Sequence, residues 1–184
     1  MAEPDAAGTA RMFFALWPDA QARAGLMRAG RGMHRVLGGK LTHEASVHLT
    51  LVFLGDVALH RLPDLQARAA QVRFAPFVLR IERAGCWPHN GIGWVGPHVT
   101  PAALANLVAD LGCALGHEGF AIDRRPYLAH VTLLRKARCG PMAEELAAID
   151  WPVQEFVLVR SELDSEGSRY STLGRWPAHE EEDA

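Results

Sequence analysis

The chain has 184 residues, 49% of them hydrophobic, and a formal net charge of -2. That length and apolar content suffice for a globular unit with a substantial core. The near-balanced charge excludes the global basic excess of a non-specific nucleic-acid binder, so any attraction for phosphate has to be local.

Residues 1–10 are small and polar, lack the apolar stretch of a signal peptide, and read as a loose tail, as do the acidic residues 178–184. Met12 to Trp17 reads as a strand, too short to span a membrane and ended by Pro18-Asp19. Asp19 is placed to cap a helix running to about Val36, where Gly38-Gly39 breaks it. Val47 to Leu54 is a second strand closed by Gly55-Asp56, and Leu59 to Val72 a second helix. Pro76 to Arg83 alternates, with Phe77, Leu79 and Ile81 on one side. A turn at Pro88-His89-Asn90-Gly91 leads into a short strand, Gly91 to Val95.

Thr100, as cap, and Pro101, at the first helical position, open a helix to about His117, and Gly119 follows it. Tyr127 to Leu134 reads as a strand and Met142 to Ile149 as a short helix. Val153 to Ser161 and Arg169 to Arg175 form a predicted hairpin across Glu166-Gly167. About seven strands and about four helices in mixed order predict an α+β fold. The cysteines, Cys86, Cys113 and Cys139, are odd in number and far apart, and none forms C-x-x-C. Neither a disulfide nor a structural zinc site is expected, and a reducing cytoplasm is the default compartment.

Chemistry concentrates in two tetrapeptides, His48-Leu49-Thr50-Leu51 and His130-Val131-Thr132-Leu133. On a strand, alternate side chains share a face, so each motif presents an imidazole and a hydroxyl together while its aliphatic residues enter a core. A lone His-x-Thr on a strand is more often structural than catalytic, because Thr favours strands. Two copies on apolar strands alter that balance, since a buried imidazole needs a partner or a purpose. The element order around the motifs repeats weakly, which predicts two pseudo-symmetric lobes donating one motif strand each to a shared cleft. Two imidazoles flanking one phosphodiester can divide the proton transfers, each role contributing on the order of 10²–10⁴ in rate. The threonines would donate to the non-bridging oxygens, where charge builds up.

Rival chemistries are poorly supported. After His43-Glu44 the next histidine is His48, one residue off H-E-x-x-H spacing. His34, His60, His89, His98, His117 and His179 are scattered and read as solvated. There is no G-x-S-x-G, no P-loop and no G-x-G-x-x-G. No metal and no cofactor are expected.

The two H-x-T-x motifs are similar to those of the two-histidine (2H) phosphoesterase superfamily. So are the opening Arg11-Met12-Phe13-Phe14-Ala15-Leu16 and the run His48-Leu49-Thr50-Leu51-Val52-Phe53-Leu54-Gly55. Arg125-Pro126-Tyr127, Arg135, and Val159-Arg160-Ser161-Glu162-Leu163 before Arg169-Tyr170 extend the likeness over residues 11–177. Within the superfamily the chain resembles the bacterial and archaeal RNA 2′,3′-cyclic phosphodiesterases, once described as 2′-5′ RNA ligases. Residue Ala129 departs from the proline that the family usually places before this histidine.

The resemblance implies one bilobal α+β domain, with both motif histidines in a central cleft. It implies opening of a 2′,3′-cyclic phosphate at an RNA end, without metal or ATP, to leave a 2′-phosphomonoester. His48 would protonate the leaving 3′-oxygen, His130 would activate water, and Thr50 and Thr132 would hold the phosphate. Arg135 matches a phosphate-contacting arginine and Phe53 an aromatic beside the substrate. Strand parity alone, however, sets both of them opposite the histidines, unless the strands bulge. Tyr127 and Trp94 are candidates to stack on a base, with core burial the stronger reading for Trp94. Arg124, Arg125, Lys136 and Arg138 bracket the second motif as a candidate basic rim. The expected partner is an RNA end or a small cyclic nucleotide, with no membrane, no DNA and a monomeric state. The alternatives are a binding module without turnover and 2′-5′ ligation by the reverse reaction.

Overall fold

The chain's computed structural model describes residues 8–123, 125–164 and 167–179, apart from the side chains of residues 163, 164 and 167. Strands β1 (Thr9–Leu16), β2 (Lys40–Leu41), β3 (Leu49–Ala58), β4 (Phe77–Trp87) and β5 (Ile92–Gly96) precede β6 (Val131–Arg135), β7 (Glu145–Val153), β8 (Glu155–Asp164) and β9 (Gly167–Pro177). Three α-helices, α1 (Ala20–Leu37), α2 (Leu62–Ala69) and α3 (Ala102–His117), and two short 3-10 turns complete the described elements. The strands form one antiparallel sheet in the order β7-β4-β5-β6-β3-β1-β8-β9, with β2 attached to β6. The α+β expectation therefore holds.

Alternation along β1 shows how the sheet divides its two faces. Met12, Phe14 and Leu16 enter the main core with Leu26 of α1 and Leu107 of α3, while Phe13 and Ala15 join Val157 and Val159 in a smaller cluster. Helix α1 packs against β6 and β7, and α3 against β3 and α2. The predicted cap of α1 is present: the Asp19 carboxylate accepts from Ala22 N at 2.7 Å. Each fully buried side chain such as Phe14, Leu49 or Leu107 contributes roughly 1.5–3 kcal/mol of apolar transfer.

The two motif strands, 82 positions apart by their histidines, lie side by side at the centre of the sheet. Their described pairing is the single antiparallel pair Leu49↔Val131. Both motif strands thus belong to one continuous sheet.

Several boundaries differ from expectation for identifiable reasons. Strand β3 runs through Gly55-Asp56 to Ala58, because Gly55 takes φ +71° and pairs with Met12 across an irregular register. Strand β1 begins at Thr9, whose neighbour Ala10 pairs with Val57, so the loose tail is shorter than 1–10. At the other end Ala178 N donates to Gln154 O and His179 N to Phe74 O. The rest of both tails, Arg124 and the Glu166 turn position lie outside the described residues.

Helix α3 uses Pro101, not Thr100, as its N-cap, without a side-chain hydrogen bond. The expected helix at Met142 to Ile149 is instead β7, paired along β4 from Phe77↔Val153 to Arg83↔Glu145. There an available sheet edge overrides the helix preference of the alanine-containing stretch. The cysteine expectation is also corrected: Cys86 and Cys139 form a disulfide, and Cys113 is free and exposed. With that pairing goes the ground the cysteines offered for a reducing compartment. No described helix is long and apolar enough to cross a membrane.

Candidate active site

Leu49 and Val131 are both fully buried, which turns their sequence neighbours to the opposite face. Carrying the antiparallel register one residue to either side sets His48 across from Thr132 and Thr50 across from His130. Both histidines stand just before their strands, not within them as the sequence indicates. All four side chains are half-buried.

Each imidazole is anchored in the same way. His48 Nδ1 lies 2.7 Å from Ser46 O, and His130 Nδ1 lies 2.8 Å from Leu128 O. A carbonyl only accepts, so Nδ1 carries a proton in both rings. In the neutral state Nε2 is then the nitrogen with the free lone pair. Around His48 the rings of Phe13, Trp17 and Tyr170 pack with centroids 4.9, 5.6 and 5.3 Å away. Trp87 packs edge-on against His130 at 4.8 Å.

Burial dominates the electrostatics. Desolvation lowers the His48 pKa to about 4, overcoming the Ser46 hydrogen bond, and the charges of Arg135 and His130 lower it further. Desolvation also lowers His130, with the Leu128 carbonyl opposing it. Both rings are neutral at pH 7 when the site is empty of anions.

Parity around Phe53 and Arg135 resolves through a shared irregularity. On β3, Phe14 pairs with Val52 and Ala15 with Thr50, so Leu51 is unmatched. On β6, Gly93 pairs with Leu134 and Trp94 with Thr132, so Leu133 is unmatched. Each motif strand thus carries a β-bulge three residues after its histidine, and the next residue is buried too: Val52 and Leu134. The phase flips there, and the fifth residue after each histidine returns to the histidine face. Phe53 is accordingly 48% exposed and lines the cleft, with the Arg11 guanidinium 5.9 Å from its ring centroid. Arg135 is exposed, and its charge reaches His48.

The cleft beside His130 has a volume of about 600 Å³, lined by Thr50, Phe53, Trp87, His89, Tyr127 and Leu128 among others. Tyr127 is half-buried against the core, and its hydroxyl donates to Thr50 O at 3.0 Å, so it braces the first motif as well as lining the cleft. Burial raises the Tyr127 phenol, which stays protonated. Trp94 is buried at 7% exposure, in keeping with its core reading. Of the basic rim, Arg125 is neutralised by Asp123, whose carboxyl it holds down at about 2, whereas Lys136 and Arg138 are exposed.

Among the described residues no three His, Cys, Asp or Glu side chains gather as a metal site. Sequence reasoning missed Phe13, Trp17 and Trp87 as the walls of the imidazoles. A tryptophan immediately before the Pro88-His89-Asn90-Gly91 turn was the available signal for Trp87.

Known proteins resemble the chain in sequence and in overall shape. A family model described as LigT-like phosphoesterase matches residues 16–94. The RNA 2′,3′-cyclic phosphodiesterase of Thermus thermophilus is 32% identical over 90% of this chain and 89% of its own length. That of Escherichia coli is 29% identical over 96% and 98%. The crystal structure of E. coli LigT complexed with 3′-AMP superposes with a TM-score of 0.86 and 28% identity, covering 94% of this chain and 99% of that one. The Thermus thermophilus protein TT0787 superposes with a TM-score of 0.79 and 29% identity over 91% and 97%.

Proposed function

The chain belongs to the LigT-like phosphoesterase family of two-histidine enzymes, and on that footing we propose that it is an RNA 2′,3′-cyclic phosphodiesterase working by paired imidazole acid–base catalysis. The observation that carries this reading is the facing of the two motifs across Leu49↔Val131, which turns two Nδ1-anchored imidazoles towards one place. Relatives named for this activity cover most of the chain.

In this reading the cyclic phosphate sits between His48 and His130, with Thr50 and Thr132 donating to its non-bridging oxygens. His130 Nε2 takes a proton from water as the water oxygen attacks phosphorus. His48 Nε2–H gives its proton to the departing ribose 3′-oxygen as the P–O3′ bond breaks. The product is a 2′-phosphomonoester, and the two imidazoles have exchanged protonation states. No metal and no ATP enter the scheme.

The acid role requires a proton on His48, which burial disfavours. The incoming phosphodiester anion supplies the opposite charge that favours an imidazolium beside it. Arg135 stabilises the same anion from the edge of the cleft, and Phe53 offers the terminal base an apolar wall.

The test is product analysis on an oligonucleotide ending in a 2′,3′-cyclic phosphate, in the presence of a chelator. A new phosphomonoester on the 2′-oxygen is expected. A 3′-phosphomonoester, binding without product, or turnover abolished by the chelator each overturns a stated part of the reading.

A further inference from the structure

The aromatic jacket of His48 is also the wall of a second hollow. Trp17 and Tyr170, which pack on that imidazole, line a space of about 740 Å³ together with Arg23, Thr172, Arg175 and the carboxylates of Glu155 and Asp19, the latter occupied as the α1 cap. None of its lining residues lines the cleft at His130. Each space is bordered by rings that pack on one of the histidines, Trp17 and Tyr170 on His48 and Trp87 on His130.

The lining has the chemistry of a nucleotide site. The rings of Trp17 and Tyr170 stand 6.2 Å apart and tilted by 48°, a surface on which a base can stack. Arg175 is committed to Glu155 at 2.5 Å. Arg23 has no carboxylate partner among the described residues. One of its guanidinium nitrogens donates to Pro18 O at 3.1 Å, and the half-buried side chain lines the hollow. A phosphate oxygen suits such a guanidinium better than any neutral group.

Substrate geometry supplies the occupant. An RNA end bearing a 2′,3′-cyclic phosphate continues through its 5′-phosphate into the upstream nucleotide, whereas a cyclic mononucleotide stops at the terminal ribose. A terminal nucleoside in the Phe53–Tyr127 cleft would leave the Trp17–Tyr170 hollow, which borders His48, for the upstream residue. We propose that the Trp17–Tyr170 hollow is a second nucleotide subsite, holding the residue upstream of the cyclic terminus with its linking phosphate on Arg23. The inference rests on the phosphodiesterase reading above and narrows its substrate class to oligonucleotide ends.

The test compares kcat/KM for a short oligonucleotide with a 2′,3′-cyclic end against the cyclic mononucleotide, in the native protein and two variants. Arg23→Gln removes the charge, and Thr172→Trp, at an exposed position on β9, fills the hollow. The native protein is expected to favour the oligonucleotide by about ten- to a hundredfold, the worth of one stacked base with its phosphate. Each variant should cut that ratio about tenfold, mainly through the KM of the oligonucleotide. No preference in the native protein, or an unchanged ratio in both variants, overturns the subsite.

If neither substrate reacts, the phosphodiesterase reading fails instead. Fluorescence anisotropy of a labelled 2′-phosphate-ended oligonucleotide then tests the hollow by itself. Binding about tenfold weaker in the variants supports it, and equal binding refutes it.

Discussion

Leu51 and Leu133 occupy the same station in the two motif strands, three residues after His48 and His130, and neither is matched on the neighbouring strand. These twin bulges bring Phe53 and Arg135 to the face that carries the imidazoles. Without them, strand parity would send an aromatic ring and a guanidinium into the helix-covered core.

Arg135 is therefore expected to act on the site directly. Arg135→Gln should lower kcat/KM by roughly ten- to a hundredfold, the worth of a charge-assisted contact to an anion. It should also raise the His48 pKa, because the Arg135 charge is one of the causes that depress it. An NMR titration of the His48 ring reads the second effect independently of turnover. A His48 pKa unmoved in the variant would place the guanidinium away from the site.

The pH dependence follows from both imidazoles being depressed. His48 is held at about 4 and His130 below its usual 6.5. In the proposed acid–base scheme the productive free enzyme carries one proton on the pair. Above both values that form falls by about tenfold per pH unit, and below both the base is protonated and lost. The kcat/KM maximum should thus lie on the acid side of 6.5, between the two apparent values. The kcat profile should lie higher, since bound phosphate favours the imidazolium. A kcat/KM optimum above pH 7 would contradict the desolvated site.

Much of this was legible in the sequence because it depends on short-range pattern. The paired His-x-Thr runs, the Asp19 cap and the alternation along Pro76 to Arg83 announce elements whose side chains decide their own placement. What escaped was decided by long-range partners. Residues 142–149 contain helix-favouring alanines and methionine, yet the edge of β4 recruits residues 145–153 as a strand. The bulges at Leu51 and Leu133 are invisible in a run of aliphatic residues, since only the register against β1 and β5 exposes them. Cys86 and Cys139 are separated by 53 positions and show no spacing signal, but the turn after β4 and the loop after β6 bring them together.

Burial of His48 also links pH to stability. Its pKa falls from 6.5 in the unfolded chain to about 4 in the fold, so between those values the unfolded state binds the extra proton. Stability should be fully present above about pH 6.5 and decline as pH drops towards 4, by up to ~3 kcal/mol from this group. Denaturant melts of the native protein and His48→Ala across that window check the point. The variant should lose this part of the slope, and an identical slope in both proteins would assign it to other groups.

Tyr127 couples the second motif's approach loop to the first motif through its bond to Thr50 O. Tyr127→Phe keeps the ring and removes that bond, leaving the carbonyl of a motif residue short of a donor. A loss of about 1 kcal/mol in stability is expected, with a fall in kcat larger than any change in KM, because the group lost positions Thr50 and not the base. A rise in KM alone would show instead that the hydroxyl serves the substrate directly.

The Cys86–Cys139 cross-link joins the strand leading into Trp87 to the segment that follows Arg135. Ala137 N already donates to Gly91 O at 2.9 Å across the same gap, so the native geometry does not depend on the sulfur bond. The cross-link acts chiefly on the unfolded chain, closing a loop of 53 residues, which is worth about 4 kcal/mol by loop-closure entropy. Reduction, or Cys86→Ser with Cys139→Ser, should lower the melting temperature by several degrees. It should leave kcat/KM within about twofold, because the hydrogen-bonded turn still holds the Trp87 ring against His130. Thiol titration under denaturing conditions should count one free cysteine before reduction and three after it. A collapse of activity out of proportion to the stability change would make the cross-link part of the His130 wall itself.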